Sequence, residues 1–168
     1  MDIRPKIVLS LSSFDKVLER SGFAGIIILW FITIYAYMHL PATIPIHFNF
    51  SGQPDNYGSK ATLILLSVLC TLIYYGLTKL NRYPHIFNYP TKITEANARQ
   101  QYTDSTRLLR ILKISIVFIF NSIILISYLS INGEMNGPGP WFLAGMFVLL
   151  LGPTVYYIIR SFKTGKTS

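Results

Sequence analysis

Four apolar runs constrain this chain more than any other feature of its sequence. They cover residues 22–40, 61–80, 111–131 and 141–159, and each is 19 to 21 residues long. A helix rises about 1.5 Å per residue, so about 20 residues cross the roughly 30 Å of hydrocarbon in a bilayer. The runs are apolar nearly all round, whereas a helix of a soluble bundle keeps a polar stripe. We therefore predict an all-α membrane protein with four transmembrane helices.

The first run resembles a signal peptide only superficially. A secretory apolar region has about 7 to 15 residues and ends in small side chains, whereas this run has 19 residues and ends in bulky ones such as Tyr37 and Met38. We expect an uncleaved membrane anchor. The charged fraction of 13% is about half of the roughly 25% found in soluble proteins, which agrees with membrane insertion.

The basic residues predict the orientation of the spans. Fourteen of the fifteen Lys and Arg residues precede the first span, flank the second connection or follow the fourth span, and only Lys60 lies in the first connection. Cytoplasmic connections are enriched in Lys and Arg. Both termini and residues 81–110 are therefore predicted to be cytoplasmic, with residues 41–60 outside. The net charge of +8 then reflects contact with anionic lipid rather than nucleic acid.

The cytoplasmic segments carry helical patterns of their own. Residues 1–21 contain an amphipathic stretch, 11–20, which predicts a short interfacial helix capped by Ser12 or Ser13 and turning at Gly22. Beyond Pro90, we expect a helix capped by Thr94 that continues to residue 131. On it, Asp104 could pair with Arg107, and the stem of Lys113 could reach the headgroups.

The connection 41–60 has the most varied chemistry on the predicted outer side. Apolar and other residues alternate from Ile44 to Phe50, as in a short strand. Such a strand could receive a peptide by strand addition. His47 and Asp55 are candidates for hydrogen bonds that fix the shape of this loop, with Lys60 as another partner for Asp55.

The same residues support an alternative interpretation. His47 and Asp55, with His39, could form a metal site or serve a small membrane-embedded enzyme or metal-handling protein. Zinc usually takes three or four protein ligands, and the spacing here is loose. The chain has no hydrolase, metalloprotease or phosphate-loop motif. We therefore expect a non-enzymatic protein without a cofactor.

Two blocks of residues resemble a bacterial membrane family, the domain of unknown function 1648, which is the N-terminal domain of SdpI-like immunity proteins. The first block comprises Leu40-Pro41, Ile44-Pro45-Ile46-His47-Phe48, Gly52, Asp55 and Gly58-Ser59-Lys60. The second comprises Asn88-Tyr89-Pro90, Ile93-Thr94, Asn97 and Gln101-Tyr102. The resemblance covers about residues 20 to 130. It implies a role in protection against a peptide toxin or in signalling to a cytoplasmic repressor.

These observations define the expected organisation. Residues 1–21 form a cytoplasmic segment, residues 22–131 a three-span family domain, and residues 132–168 an outer turn, the fourth span and a basic tail. We expect a multi-pass protein of the bacterial cell membrane. Its outer loop would bind a peptide or envelope partner, and residues 81–110 could contact a cytoplasmic protein.

Overall fold

The computed structural model describes residues 4–165 as a bundle of long helices with a small β-hairpin. The elements in chain order are helix α1 (Ser13–His39), strands β1 (Thr43–Phe48) and β2 (Pro54–Ser59), helix α2 (Ala61–Leu80), a 3₁₀ turn (Pro84–Ile86), helix α3 (Ala98–Ile131) and helix α4 (Pro140–Gly165). Within the described residues, four helices are long and apolar enough to cross a membrane, which confirms the predicted number of spans.

The two ends of the bundle differ in character. We call the end formed by β1, β2 and the turn 132–139 the hairpin end. We call the opposite end the basic end; it comprises residues 4–12, the connection 81–97 and the last turns of α4. Consecutive helices are antiparallel, so α1 and α3 run in the same direction.

The N-terminal helix differs from the prediction. The structure has one continuous helix from Ser13 to His39, with no separate interfacial helix and no turn at Gly22. Ser12 caps it as expected, because its hydroxyl accepts a hydrogen bond from Asp15 N while the Asp15 carboxylate accepts one from Ser12 N. Gly22 allows close packing instead, since a Cβ there would lie 3.0 Å from the Tyr74 ring.

Hydrogen bonds between helices accompany the apolar packing inside the bundle. Thr33 and Ser67 join α1 to α2 through a 2.6 Å contact between their hydroxyls, and Trp30 Nε1 donates to Thr71 Oγ1 over 3.0 Å. Asn121 Nδ2 donates to Gly25 O, as expected of a polar side chain that links two spans. Such bonds contribute about 0.6 kcal/mol each on average in membrane proteins.

Ion pairs join α1 to α3 near the basic end. Glu19 accepts hydrogen bonds from Arg110 Nε at 3.0 Å and from Lys113 Nζ at 2.6 Å. The prediction that Lys113 extends to the headgroups is wrong, because this residue is 1% exposed and also donates to Thr78 Oγ1. A buried cation needs such partners. The Glu19 pairs therefore fix the relative height of α1 and α3.

The predicted pairing of Asp104 with Arg107 also differs from the structure. Arg107 Nε instead contacts Asp15 Oδ1 of α1 at 3.0 Å, and Asp104 Oδ2 accepts from Arg160 Nε of α4 at 2.8 Å. From the sequence, the only ion pairs that could be predicted were those between residues close together on one helix, such as residues three apart. In the packed bundle these charged residues pair with groups on adjacent helices. The ion pairs therefore connect different helices instead of stabilising a single one.

Candidate functional site

The predicted extended piece of residues 41–60 is one strand of a β-hairpin. β1 pairs antiparallel with β2, with Ile44 opposite Gly58 and Phe48 opposite Pro54, and the register shifts on either side of His47. The second strand was not expected, because Pro54, Asp55 and Gly58 are poor strand formers. Pro45 lacks an N–H group, which an edge strand tolerates.

Asn49 shapes the turn between the strands. Its Oδ1 accepts hydrogen bonds from Ser51 N and Gln53 N, each 2.9 Å long, and its backbone N–H donates to Gln53 O. An asparagine side chain that bonds to the following backbone is a common turn device. The hairpin tip therefore has a defined shape.

His47 and Asp55 face each other across the hairpin. The distance between His47 Nδ1 and Asp55 Oδ1 is 2.5 Å, and both side chains are substantially exposed. The expected contact between Asp55 and Lys60 is absent, since Lys60 Nζ donates to Tyr37 O and Leu40 O at the end of α1. Lys60 thus satisfies carbonyl groups that the helix end leaves free. These bonds attach the base of the hairpin to α1.

The hairpin tip packs on the turn between α3 and α4. Gly52 and Gly137 both have positive φ, at 81° and 79°. A Cβ on Gly52 would lie 2.8 Å from Pro138 O, and a Cβ on Gly137 would lie against Gly52 O and the Phe48 ring. Only glycine fits at both positions, because the two backbones approach so closely.

A groove of about 270 Å³ opens between the hairpin, α3 and the start of α4. Its polar side chains are those of His47, Asn49 and Ser127, and its lining includes Phe50, which is 75% exposed. The remaining wall is mostly apolar and includes Ile126 and Phe142. A mostly apolar cleft with a few polar groups at one edge is typical of a binding site.

The structure does not assemble the alternative metal site. His39 Nδ1 lies 2.8 Å from Tyr35 O on its own helix, and its ring stacks on that tyrosine. Among residues 4–165, no group of three or more His, Cys, Asp or Glu side chains could hold a metal ion. His47 and Asp55 alone would supply two ligands.

The second motif block lies in and beside the connection at the basic end. The Tyr89 hydroxyl contacts Pro84 O and Ser105 Oγ, each at 2.8 Å, and burial raises the pKa of this hydroxyl. Tyr102 is fully buried, and its hydroxyl donates to Pro5 O. Arg4 also donates hydrogen bonds to His85 O and Phe87 O, so residues 4–12 cover this connection. Docking of a cytoplasmic partner on residues 81–110 stays a prediction.

Other residues of this block shape the start of α3. Thr94 N donates to Asn97 Oδ1 and Asn97 N donates to Thr94 Oγ1, so the two residues bond reciprocally. The helix begins at Ala98 rather than after Thr94, which corrects the predicted cap. Asn88 and Pro90 are exposed.

Gln101 has a role that the sequence analysis did not recognise. Its Nε2 donates to Ser161 O and Thr164 Oγ1, and its Oε1 accepts from Ser161 Oγ at 2.6 Å. The sequence marks Gln101 only as a member of the second motif block. The local sequence around Gln101 does not indicate a contact with α4, because Gln101 and Ser161 are 60 residues apart.

Comparisons with known proteins agree with the first motif block. Residues 24–75, which include the hairpin, match the family model described as Domain of unknown function (DUF1648), and this confirms the predicted resemblance to that family for the first motif block. An uncharacterized protein of Archaeoglobus fulgidus is 32% identical over 98 residues, which cover 54% of this chain and 52% of that relative. The match thus spans about half of the relative's length. No solved structure matches the chain.

Proposed function

We propose that the hairpin end is a binding surface for a peptide or another envelope component outside the cell. The groove between the hairpin, α3 and α4 is the observation that carries this proposal. It joins residues of the motif, His47 and Phe48, to an apolar wall built by two other elements. The basic residues support an orientation with both termini cytoplasmic, which would place this groove outside.

A peptide suits the groove for two physical reasons. β1 and β2 form a two-stranded sheet, so each strand has one edge without a strand neighbour, and an extended peptide could pair there. The exposed ring of Phe50 beside the apolar wall offers a contact for a large apolar side chain. Peptide-toxin immunity or signalling of the SdpI-like type would be a use of this surface.

The role of His47 and Asp55 in the proposal is to hold the hairpin. Their contact crosses the sheet at the point where the register shifts, and it keeps His47 at the edge of the groove. Loss of either side chain would loosen the edge of the groove without removing its apolar wall. A metal ion here would have only these two ligands, because residues 4–165 contain no group of three or more His, Cys, Asp or Glu side chains that could hold one.

Two aromatic residues of the hairpin allow a matched test. Phe50 lines the groove, whereas Tyr57 is 59% exposed and does not. A photoactivatable phenylalanine analogue at position 50 should crosslink in living cells to a defined partner, while the same analogue at position 57 should not. The purified partner should then bind Phe50→Ala at least ten-fold more weakly than Tyr57→Ala.

Both substitutions replace exposed side chains, so both variants should reach the membrane at normal abundance. Equal crosslinking from the two positions, or equal affinity of the two variants, would contradict the proposed groove.

A further inference from the structure

A second cavity lies at the basic end, opposite the hairpin. It has a volume of about 420 Å³ and is bounded by residues 7–11, α1, the end of α2, the connection that follows α2, and α3. Both polar and apolar groups line it, among them Val8, Glu19, Asn81, Arg82 and Arg110. Its size falls in the range of small-molecule sites.

Positive charge exceeds negative charge around this cavity. Glu19 is the acidic group in its wall, and it is shared by Arg110 and by Lys113, so two cations surround one carboxylate. Arg82 adds a further cation and is exposed. An anion placed here would be attracted by Arg82 at the surface and by Arg110, which is 7% exposed and therefore partly shielded from water, where electrostatic interactions are stronger.

An unpaired acceptor lies in the same wall. Asn81 is 9% exposed, and its Nδ2 donates to Thr106 O at 3.1 Å. Its Oδ1 is buried and has no hydrogen-bond partner within residues 4–165. Buried polar atoms are normally paired in native proteins. This atom has almost no accessible surface, so a ligand hydroxyl would supply the missing donor after a small displacement of the Asn81 side chain.

The position of the cavity indicates where such a ligand would come from. Asn81 directly follows α2, at the end of a candidate membrane span. At the cavity wall, Val8 is 92% exposed and Leu11 is 43% exposed. Charged groups beside exposed apolar side chains at the end of a span suit a lipid whose headgroup and chains meet at this level.

We propose that this cavity binds the phosphoglycerol group of an anionic glycerophospholipid. The phosphate lies beside Arg82 and Arg110, and a glycerol hydroxyl donates a hydrogen bond to Asn81 Oδ1. The phosphodiester carries a single negative charge, which complements the excess of cations. A zwitterionic headgroup has no net charge and would leave that excess uncompensated. The site is independent of the groove at the hairpin end.

Binding is measured on the purified full chain by native mass spectrometry and by thermal stabilisation in detergent. Phosphatidylglycerol should bind and raise the melting temperature, and phosphatidylcholine should do neither. Arg82→Gln should weaken phosphatidylglycerol binding about five-fold, given roughly 1 kcal/mol for each cation near a lipid phosphate. Arg99→Gln makes the same charge change at an exposed position outside the cavity and should alter the affinity less than two-fold.

A second pair of variants tests the cavity at a position that cannot disturb the fold. Because Val8 is 92% exposed, Val8→Asp places a carboxylate at the cavity without removing packing. It should weaken phosphatidylglycerol binding by repelling the phosphate, whereas Val8→Asn should leave it unchanged. Equal binding of phosphatidylglycerol and phosphatidylcholine, or equal effects of Arg82→Gln and Arg99→Gln, would overturn the proposal.

Free glycerol 3-phosphate distinguishes a lipid from a soluble ligand with the same chemistry. If the site serves lipid, glycerol 3-phosphate at millimolar concentration leaves the bound phosphatidylglycerol in place. Displacement of the lipid from the natural chain by glycerol 3-phosphate, but not by glycerol at the same concentration, would support phosphoglycerol recognition with a soluble source. Binding of neither compound would overturn the assignment.

Discussion

The hairpin motif contributes close backbone packing at its glycines and a side-chain anchor at Lys60. Gly52 meets the backbone at Pro138, and a Cβ on Gly58 would collide with Ile46 at 2.7 Å. Lys60 bonds to carbonyl groups at the end of α1. The sequence singled out these positions but not their contacts, because each partner comes from another part of the chain.

Gly52→Ala tests the close contact at the hairpin tip. The positive φ costs a non-glycine residue about 1–2 kcal/mol, and the added Cβ would also press on Pro138 O at 2.8 Å. We expect the apparent free energy of unfolding in detergent to fall by about 2 kcal/mol or more. Chemical or thermal unfolding of the purified protein measures this change.

Gly76→Ala is the matched control for that substitution. Gly76 lies inside α2, and nothing lies within 4 Å of a Cβ built there. Alanine favours a helix by up to about 1 kcal/mol over glycine, so stability should stay level or rise. Equal destabilisation by the two substitutions would refute the contact at Gly52.

At the scale of elements, α4 is held differently from the other helices. Tyr157 and Ser161 are its buried residues among those described, whereas α3 has fourteen. Its links to α3 at the basic end are polar, through Gln101 to Ser161 and through Asp104 to Arg160. An apolar run predicts that α4 forms, but not that hydrogen bonds position it.

Gln101→Leu should therefore loosen the end of α4. The substitution removes the bonds to Ser161 and Thr164, and a hydrogen bond contributes about 0.5–1.5 kcal/mol. We expect amide hydrogen exchange in residues 155–165 to speed up by at least ten-fold, while exchange in α2 stays unchanged. Mass spectrometry of the exchanged protein in detergent resolves the two regions.

The neighbouring glutamine supplies the control for this experiment. Gln100 is exposed and bonds to Asp104 Oδ2 on its own helix. Gln100→Leu should change exchange in α4 little, because its side chain makes no bond to that helix and Asp104 keeps its own bond to Arg160. If Gln100→Leu loosened α4 as much as Gln101→Leu does, the position of α4 would not depend specifically on Gln101.

For the whole molecule, the asymmetry of charge leads to a prediction of orientation. Among residues 4–165, thirteen of the fourteen Lys and Arg residues belong to the basic end or the helix segments nearest it, and Lys60 is at the hairpin end. Cytoplasmic sides of membrane proteins collect such residues. The proposed binding groove would then face outward and the phosphoglycerol cavity inward.

Single-cysteine labelling tests this orientation. Cys70 is buried and is first replaced by Ala, after which Asn56→Cys and Arg99→Cys place reporters at exposed positions of the two ends. A membrane-impermeant thiol reagent should label position 56 in intact cells and position 99 only after lysis. Labelling of position 99 in intact cells would reverse the orientation and remove the basis for an extracellular groove.

Sequence alone predicted the four helices, since burying about 20 apolar residues in lipid leaves a helix as the simplest way to pair every backbone group. It also marked the hairpin motif, because proline, glycine and alternating residues impose local geometry. It missed β2, the continuity of α1 and the start of α3, where weak local preferences yield to tertiary contacts.

Tertiary structure decided which polar groups meet. The pairing of Asp15 with Arg107, Lys113 with Glu19 and Gln101 with Ser161 spans 60 to 94 residues of chain. No local period encodes such contacts, because they depend on the relative heights and rotations of packed helices. The groove and the cavity follow from the same cause, since each is bounded by elements that only the assembled bundle brings together.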